Sequence, residues 1–313
     1  MIELRHLTKQ YGHQCAIKDL SLKIWEKNIL GFLGRNGAGK STTMNLITGY
    51  LAPTDGDVFI DGLGLLDDPI AARAKIGFMP EQPPLYPDMS VKEYLRFVCE
   101  LKRIPPRSVA VEVDRLLDAV DIRDMKDRLI RNLSRGYRQR VGIAQAMAGS
   151  PPYIILDEPT AGLDPVQITE VRDMIRRLGE EHTVILSSHI LPEVAEVCTH
   201  VVIIHSGEIL ADTPMKALES NGCCLRVRLR APAEPAVAML ASLPGVQRAV
   251  PGPDVEPEAV DVAVYGPEDT DLRIAIFNLA VQKQWPLLEM RQVHMDLEQF
   301  FLDAVERKER GGA

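Results

Sequence analysis

The octet Gly34-Arg-Asn-Gly-Ala-Gly-Lys-Ser41 constrains this chain more than any other stretch, because it fits GxxxxGK[ST] at every fixed position. An apolar run, Ile29–Leu33, leads into it, and a helical pattern over Ser41–Leu51 leads out. Strand, loop, helix is the context in which that motif holds phosphate. Its glycines let backbone N–H groups turn toward phosphate oxygens, and the helix start adds the positive end of its dipole. This reading places Gly34, Arg35, Asn36, Gly37, Ala38, Gly39, Lys40, Ser41 and Thr42 around a nucleotide. Lys40 reaches the β and γ phosphates, and the Ser41 hydroxyl ligates Mg²⁺. The competing reading is a plain glycine-rich turn, and the flanking strand and helix weigh against it.

Three further apolar runs also end in polar residues. Tyr153–Leu156 ends in Asp157 and Glu158, Thr183–Leu186 in Ser187, Ser188 and His189, and Val201–His205 at the Ser206-Gly207 turn. Short apolar runs between helical patterns predict a parallel sheet buried on both faces. Chemistry in such sheets lies beyond the carboxyl ends of the strands. Asp157 then stands where a phosphate-loop protein holds its metal ion. Glu158, directly after it, can polarise a water for in-line attack. An Asp-Glu pair after a strand is on its own more often a solvated loop; the phosphate loop reverses that weighting.

Residues 83–148 read as a helical insertion, opened by a Ser90/Glu93 capping box and interrupted at Arg103–Pro106. The composition changes again near Ser220–Cys224. Beyond it, Leu225, Val227 and Leu229 alternate with arginines, and Val260, Val262 and Val264 mark a second half-buried strand. A helix opens at Pro235, a further one carries Leu272, Ile276 and Leu279, and Leu297, Phe300, Phe301 and Ala304 mark a last amphipathic one. With weaker strands at Val246–Val250 and Pro286–Val293, the order is βαββαβ plus a helix. A small α+β module results, for which a ferredoxin-like fold is the candidate. A proline-rich loop, Pro251–Pro257, joins its inner strands, and the charged tail from Arg307 is expected to fray. The expected division is 1–220 and 221–313, with the helical subdomain at about 83–148.

The net charge of −8 argues against a sequence-independent nucleic-acid binder, which needs a basic face. Five cysteines without CxxC spacing argue against zinc and against a disulfide framework. The first residues lack the shape of a signal peptide, and no run of 18 apolar residues occurs, so any work at a membrane requires a partner.

The segment Leu133-Ser-Arg-Gly-Tyr-Arg-Gln-Arg-Val141 resembles the ABC signature LSGGQ and its helix. It stands shortly before Tyr153-Ile-Ile-Leu-Asp-Glu-Pro-Thr160, followed by Ala161-Gly-Leu-Asp164, which is similar to the D-loop. His189 resembles the switch histidine, and Tyr11 the aromatic residue that stacks on adenine. In this order the motifs identify residues 1 to about 218 as similar to an ABC (ATP-binding cassette) nucleotide-binding domain. The implied fold is an α/β P-loop NTPase with a RecA-like core, an antiparallel β subdomain and a helical subdomain, followed here by the small α+β domain.

The resemblance implies ATP and Mg²⁺ as ligands and Glu158 and His189 as the catalytic pair. It implies a homodimer, or a pair with a second ATPase subunit, in which Ser134 and Gly136 of one chain complete the site of the other. Asp164 is the implied D-loop residue. The implied partner is a separate transmembrane permease, placing the chain in the cytoplasm on the inner face of the cell membrane. Pro83–Pro87 and the helical subdomain would form the groove for the permease's coupling helix. Three positions depart from the pattern. Arg135 stands for the first signature glycine, Tyr137 for its glutamine, and Glu81 where a glutamine follows Pro80, with Gln82 one later. Glu81 and Gln82 are both candidates near the metal ion. These departures, with the ending Asp296–Asp303, resemble the branch pairing with ABC-2 type permeases, mostly exporters. The alternative is a soluble ABC ATPase of translation or DNA repair. One cassette without basic linkers, and a short gap between Lys40 and Ser134, weigh against it.

Overall fold

A computed structural model describes residues 1–219, 223–252, 258–267 and 270–294, with positions 297, 300–302, 304, 305 and 308 beyond them. Ser220 at the expected composition change, residues 253–257 of the proline-rich loop, Asp296, Asp303 and Arg307 lie outside the described residues. The chain divides into two compact units. One spans Met1–Thr213 and takes in the described positions from Ala304; the other spans Pro214–Asp303.

In the first unit, β1 (Ile2–Tyr11), β2 (Gln14–Ile24) and β3 (Ile29–Leu33) precede helix α1 (Lys40–Ile47). Then come β4 (Asp55–Ile60), β5 (Leu63–Gly64), α2 (Pro69–Ala74) and β6 (Ile76–Met79). The helices α3 (Val91–Leu101), α4 (Pro106–Ala119) and α5 (Arg135–Met147) form the insertion. The chain returns through β7 (Tyr153–Asp157), α6 (Pro165–Glu181), β8 (Thr183–Ser188), α7 (Leu191–Val197), β9 (His200–His205) and β10 (Glu208–Pro214).

Two sheets result, one in the order β2-β1-β4-β5 and one in the order β10-β9-β3-β8-β7-β6. Every residue of β3, β7 and β8 is buried, as strands covered on both faces require. These three and their neighbours β6 and β9 pair in parallel, with Leu33 opposite Ser188 and Asp157 opposite Ser187. The register therefore sets the ends of β3, β7 and β8 side by side at one sheet edge. In the first sheet Ile2, Leu4 and Leu7 of β1 and Leu20, Leu22 and Ile24 of β2 turn inward onto the shared core. Helix α3 buries Val91, Tyr94, Leu95, Val98 and Cys99, one face of a 3.6-residue period. The Ser90/Glu93 capping box is formed in both directions, so the insertion begins where its sequence signals it.

The second unit contains α8 (Met215–Glu219), β11 (Cys223–Leu229), α9 (Ala233–Ala241), β12 (Arg248–Pro251), β13 (Val260–Gly266), α10 (Arg273–Gln282) and β14 (Leu287–His294). Its sheet runs β12-β13-β11-β14 with antiparallel neighbours, the order of a split βαββαβ module. Leu225, Val227 and Leu229 pair with Val264, Val262 and Val260, so the two alternating patterns share one buried face. Between them Arg228 grips the buried Asp261 through two bonds of 3.0 and 3.1 Å. Helix α9 begins two residues before Pro235, whose missing N–H costs nothing in a first turn. Among the described residues no helix is long and apolar enough to cross a membrane.

Candidate active site

Strand β3 delivers the chain to the phosphate loop at Gly34, where a Cβ would fall 2.5 Å from the Ile204 carbonyl oxygen. At the other end Gly39 caps α1 with φ 113°, a conformation that a side chain would strain. Between them the Ala38 N–H donates to Arg35 O at 3.0 Å, and the Ala38 carbonyl accepts from Gly207 N–H at 2.9 Å. The loop is thus anchored to the turn after β9. Lys40 is buried; its Nζ donates to Gly34 O at 2.8 Å and stands 3.4 Å from Glu158 Oε1.

The β7 end supplies the carboxylates. Asp157 Oδ1 accepts from Ser41 Oγ at 3.2 Å and from the Ser187 hydroxyl. Ser187 Oγ also accepts the Glu158 N–H at 2.9 Å, so one hydroxyl ties both acidic residues to β8. Glu158 has φ 48°, a strained left-handed conformation for a glutamate. Its carboxylate lies between two cation-capable partners, with Oε2 2.8 Å from His189 Nδ1 and Oε1 facing Lys40. With Glu158 only 7% exposed, these contacts act where water screens them weakly.

These groups line or underlie one cleft of about 720 Å³. Its walls include Tyr11, Asn36, Gly37, Gly39, Lys40, Ser41, Thr42, Glu81, Glu158 and His189. Gly34 and Ala38 are buried beneath the loop, and Arg35 is exposed outside the lining. Of the two candidates after Pro80, Glu81 lines the cleft and Gln82 does not; both stand in a bend past the end of β6. Ala161, read within the D-loop-like segment, and Ser206, read at the turn after an apolar run, also line it, as do Gln14, Cys15, Ala16 and Lys18, which were not marked by sequence. Those last four come from the start of β2, and no motif connects them to the phosphate loop. Ser187 carried one signal, its place in the polar end of an apolar run.

Tyr11 is half exposed at the cleft mouth, with Lys9 Nζ 5.3 Å from its ring centroid. A ring presented this way offers its face to a base rather than a group that reads the base's edges. Tyr11→Ala is expected to weaken ATP binding roughly tenfold, the scale of one base–aromatic stack. Calorimetry with the unaltered chain should find GTP bound about as tightly as ATP; a strong ATP preference would assign base reading to Gln14 or Lys18.

The signature residues lie elsewhere. Ser134 caps α5 by accepting from Tyr137 N–H at 3.4 Å, leaving that helix start as a second anion-attracting end. Gly136 is buried against Gln167, whose Oε1 would be 2.6 Å from an added Cβ. Arg135, the cationic substitute, lays its guanidinium over Gly162, where a Cβ would meet Nη1 at 2.3 Å. Asp164 caps α6 through the N–H groups of Val166 and Gln167, both at 3.0 Å. None of Ser134, Gly136 and Asp164 lines the cleft of its own chain.

A second depression, about 500 Å³, opens between β6 and the inserted helices. Tyr86 meets Tyr94 edge-on at 6.0 Å and Phe97 at 5.5 Å, and Arg73 and Lys102 stand at its walls. Burial pushes the Tyr94 phenol up to about 12 and lowers the Lys102 ammonium; the latter donates to Ile76 O at 2.9 Å.

Residues 17–161 match the protein family described as ABC transporter. The chain is 36% identical over 223 residues to the bacitracin transport ATP-binding protein BcrA of Bacillus licheniformis, covering 71% of this chain and 72% of that one. It is 33% identical to the lipopolysaccharide export system ATP-binding protein LptB of Haemophilus influenzae, over 71% of this chain and 94% of that one. Among solved structures, a dimeric post-hydrolysis state of the ATP-binding cassette MJ0796 bound to ADP and Pi superposes with a TM-score of 0.63. That match has 27% identity and covers 69% of this chain and 99% of the other.

Proposed function

This chain belongs to the ABC transporter ATP-binding proteins and hydrolyses ATP to drive transport; we propose that it does so as half of a dimer beneath a separate ABC-2 type permease that moves its cargo outward. The observation that carries the hydrolytic roles is the Glu158 carboxylate held between Lys40 and His189 at the phosphate loop. ATP enters with its base on Tyr11 and its phosphates along the N–H groups from Gly37 to Thr42. Lys40 neutralises the β and γ oxygens. Glu158 orients a water and takes its proton as the oxygen attacks phosphorus and the bond to the β-phosphate oxygen breaks. His189, bonded to Glu158, contacts the γ phosphate and keeps the carboxylate aimed.

Mg²⁺ suits the corner where the Ser41 hydroxyl and Asp157 carboxylate converge at 3.2 Å. Those are hard oxygen donors of the kind this ion takes alongside phosphate oxygens and water. Bound there, it would offset charge on the transferring phosphoryl group. Of the two candidates after Pro80, Glu81 is the one that lines the same cleft.

The signature's position away from its own cleft supports pairing across an interface, with the α5 start of a second copy, or of a second ATPase subunit, closing on the phosphates. The MJ0796 dimer is similar to this chain and supports that reading. The aromatic depression beside Pro84 and Tyr86 is the proposed seat of the permease's coupling helix. This would hold the chain at the inner face of the membrane. Outward transport draws support from the LptB likeness and from the departures at Glu81, Arg135 and Tyr137. Residues 1–220 then form the cassette and 221–313 an accessory domain that steadies the dimer.

Gentle solubilisation of membranes carrying a tagged chain tests this directly. A polytopic membrane protein in about one-to-one ratio is the expected companion. Recovery with ribosomes or DNA-repair factors would overturn the transport reading.

A further inference from the structure

The Thr160 hydroxyl donates to Glu193 Oε2, and both residues are buried, Thr160 to 5% exposure and Glu193 to 8%. Thr160 lies just past Glu158, and Glu193 just past His189, so this bond joins the two segments that carry the hydrolytic pair. Glu193 occupies the first turn of α7, its N–H on Ile190 O at 3.2 Å. Among the described residues, Thr160 is the one hydrogen-bond donor to its carboxylate, and no cation pairs with it. A buried carboxylate so sparsely partnered is costly to keep.

Its location gives the reason. Glu158 holds φ 48°, and strained backbone persists only where its surroundings over-determine it. On the strand side Ser187 Oγ takes the Glu158 N–H; on the loop side the Ala161 N–H closes onto Glu158 O at 3.1 Å. Neither contact reaches α7. The Thr160–Glu193 bond does, and it lies behind the Glu158–His189 contact as a second rung between the same two segments. Resting on the reading of this chain as an ATP hydrolase, we propose that Glu193 is a positioning residue: through Thr160 it fixes the turn that aims Glu158 and holds it in register with His189.

The test is ATP turnover against ATP concentration, with nucleotide affinity by calorimetry, on the full chain in the assembly in which it purifies. Glu193→Ala and Thr160→Val are each expected to lower kcat tenfold to roughly a hundredfold, the scale of a slightly misplaced reacting group. KM and ATP affinity stay near the unaltered values, because Tyr11 and the phosphate loop hold the nucleotide without this bond. Glu193→Gln retains an oxygen that accepts from Thr160 and recovers most of the turnover, and Thr160→Ser does the same. The double variant falls little below either single one, as expected for one shared interaction.

Normal kcat in both Glu193→Ala and Thr160→Val would overturn the proposal. So would parallel loss of kcat and nucleotide affinity without rescue by Gln or Ser, which marks a packing contact. If Glu193→Ala does not fold, Thr160→Val and Glu193→Gln decide alone. An unaltered chain with no ATP turnover in that assembly would instead remove the hydrolase reading, and the proposal with it.

Discussion

Glu158→Gln leaves ATP bound and lowers turnover by about three orders of magnitude, within the range contributed by a positioned acid–base group. The substitution keeps the side chain's length and its hydrogen bonding toward His189, but an amide oxygen is a far weaker base than the carboxylate that sits 2.8 Å from that ring. It also removes the negative charge facing Lys40 at 3.4 Å, which leaves the ammonium freer to serve the phosphates. Affinity for ATP is therefore expected to hold or rise, and ATP-bound dimers to accumulate. Single-turnover kinetics with radiolabelled ATP and sizing in the presence of ATP read both effects. Turnover near that of the unaltered chain would take the essential role away from Glu158 and hand it to Glu81, the other carboxylate lining the cleft.

Lys40→Ala is expected to act on binding instead. A charge-assisted hydrogen bond contributes about 1.5–3 kcal/mol, so losing the ammonium from the phosphates weakens ATP affinity roughly tenfold to a hundredfold. A second consequence follows from burial. Glu158, with its side chain 10% exposed, loses the cation that faces it, and an unpaired charge so enclosed is destabilising. The melting temperature without nucleotide should fall too, and Glu158→Gln should lower it as well, because it leaves the buried Lys40 ammonium unpaired. Lys40→Arg restores the charge but not the fit, because a planar guanidinium cannot enter the space beside Gly34 as a point charge does. Calorimetry that finds ATP affinity unchanged in Lys40→Ala would contradict the phosphate-loop assignment at its centre.

The legible part of the site is the part made by neighbours in sequence. The loop from Gly34 to Thr42 takes its shape from its own glycines and helix start, so its pattern carries its structure. Asp157 and Glu158 were readable because a four-residue apolar run points them at the sheet edge, and Ser134 because it caps a helix. The βαββαβ order of the second unit was readable because two strands alternate cleanly, with Val227 opposite Val262 in the sheet. The start of α9 was read late because proline in a first turn looks like a beginning rather than an interior residue.

What the sequence by itself determined, then, is the chemistry present and its order along the chain: a phosphate loop, a carboxylate pair, a histidine and a second helix cap. Only the tertiary structure decided which of those groups meet. The crossovers that bring β3, β7 and β8 together set Ser41 against Asp157, Ser187 beneath Glu158 and Thr160 against Glu193. They also put Glu81 rather than Gln82 in the cleft and leave the signature outside it. Each of those facts depends on the register of distant segments, which local patterns do not encode and which parallel strands acquire only when their shared core closes.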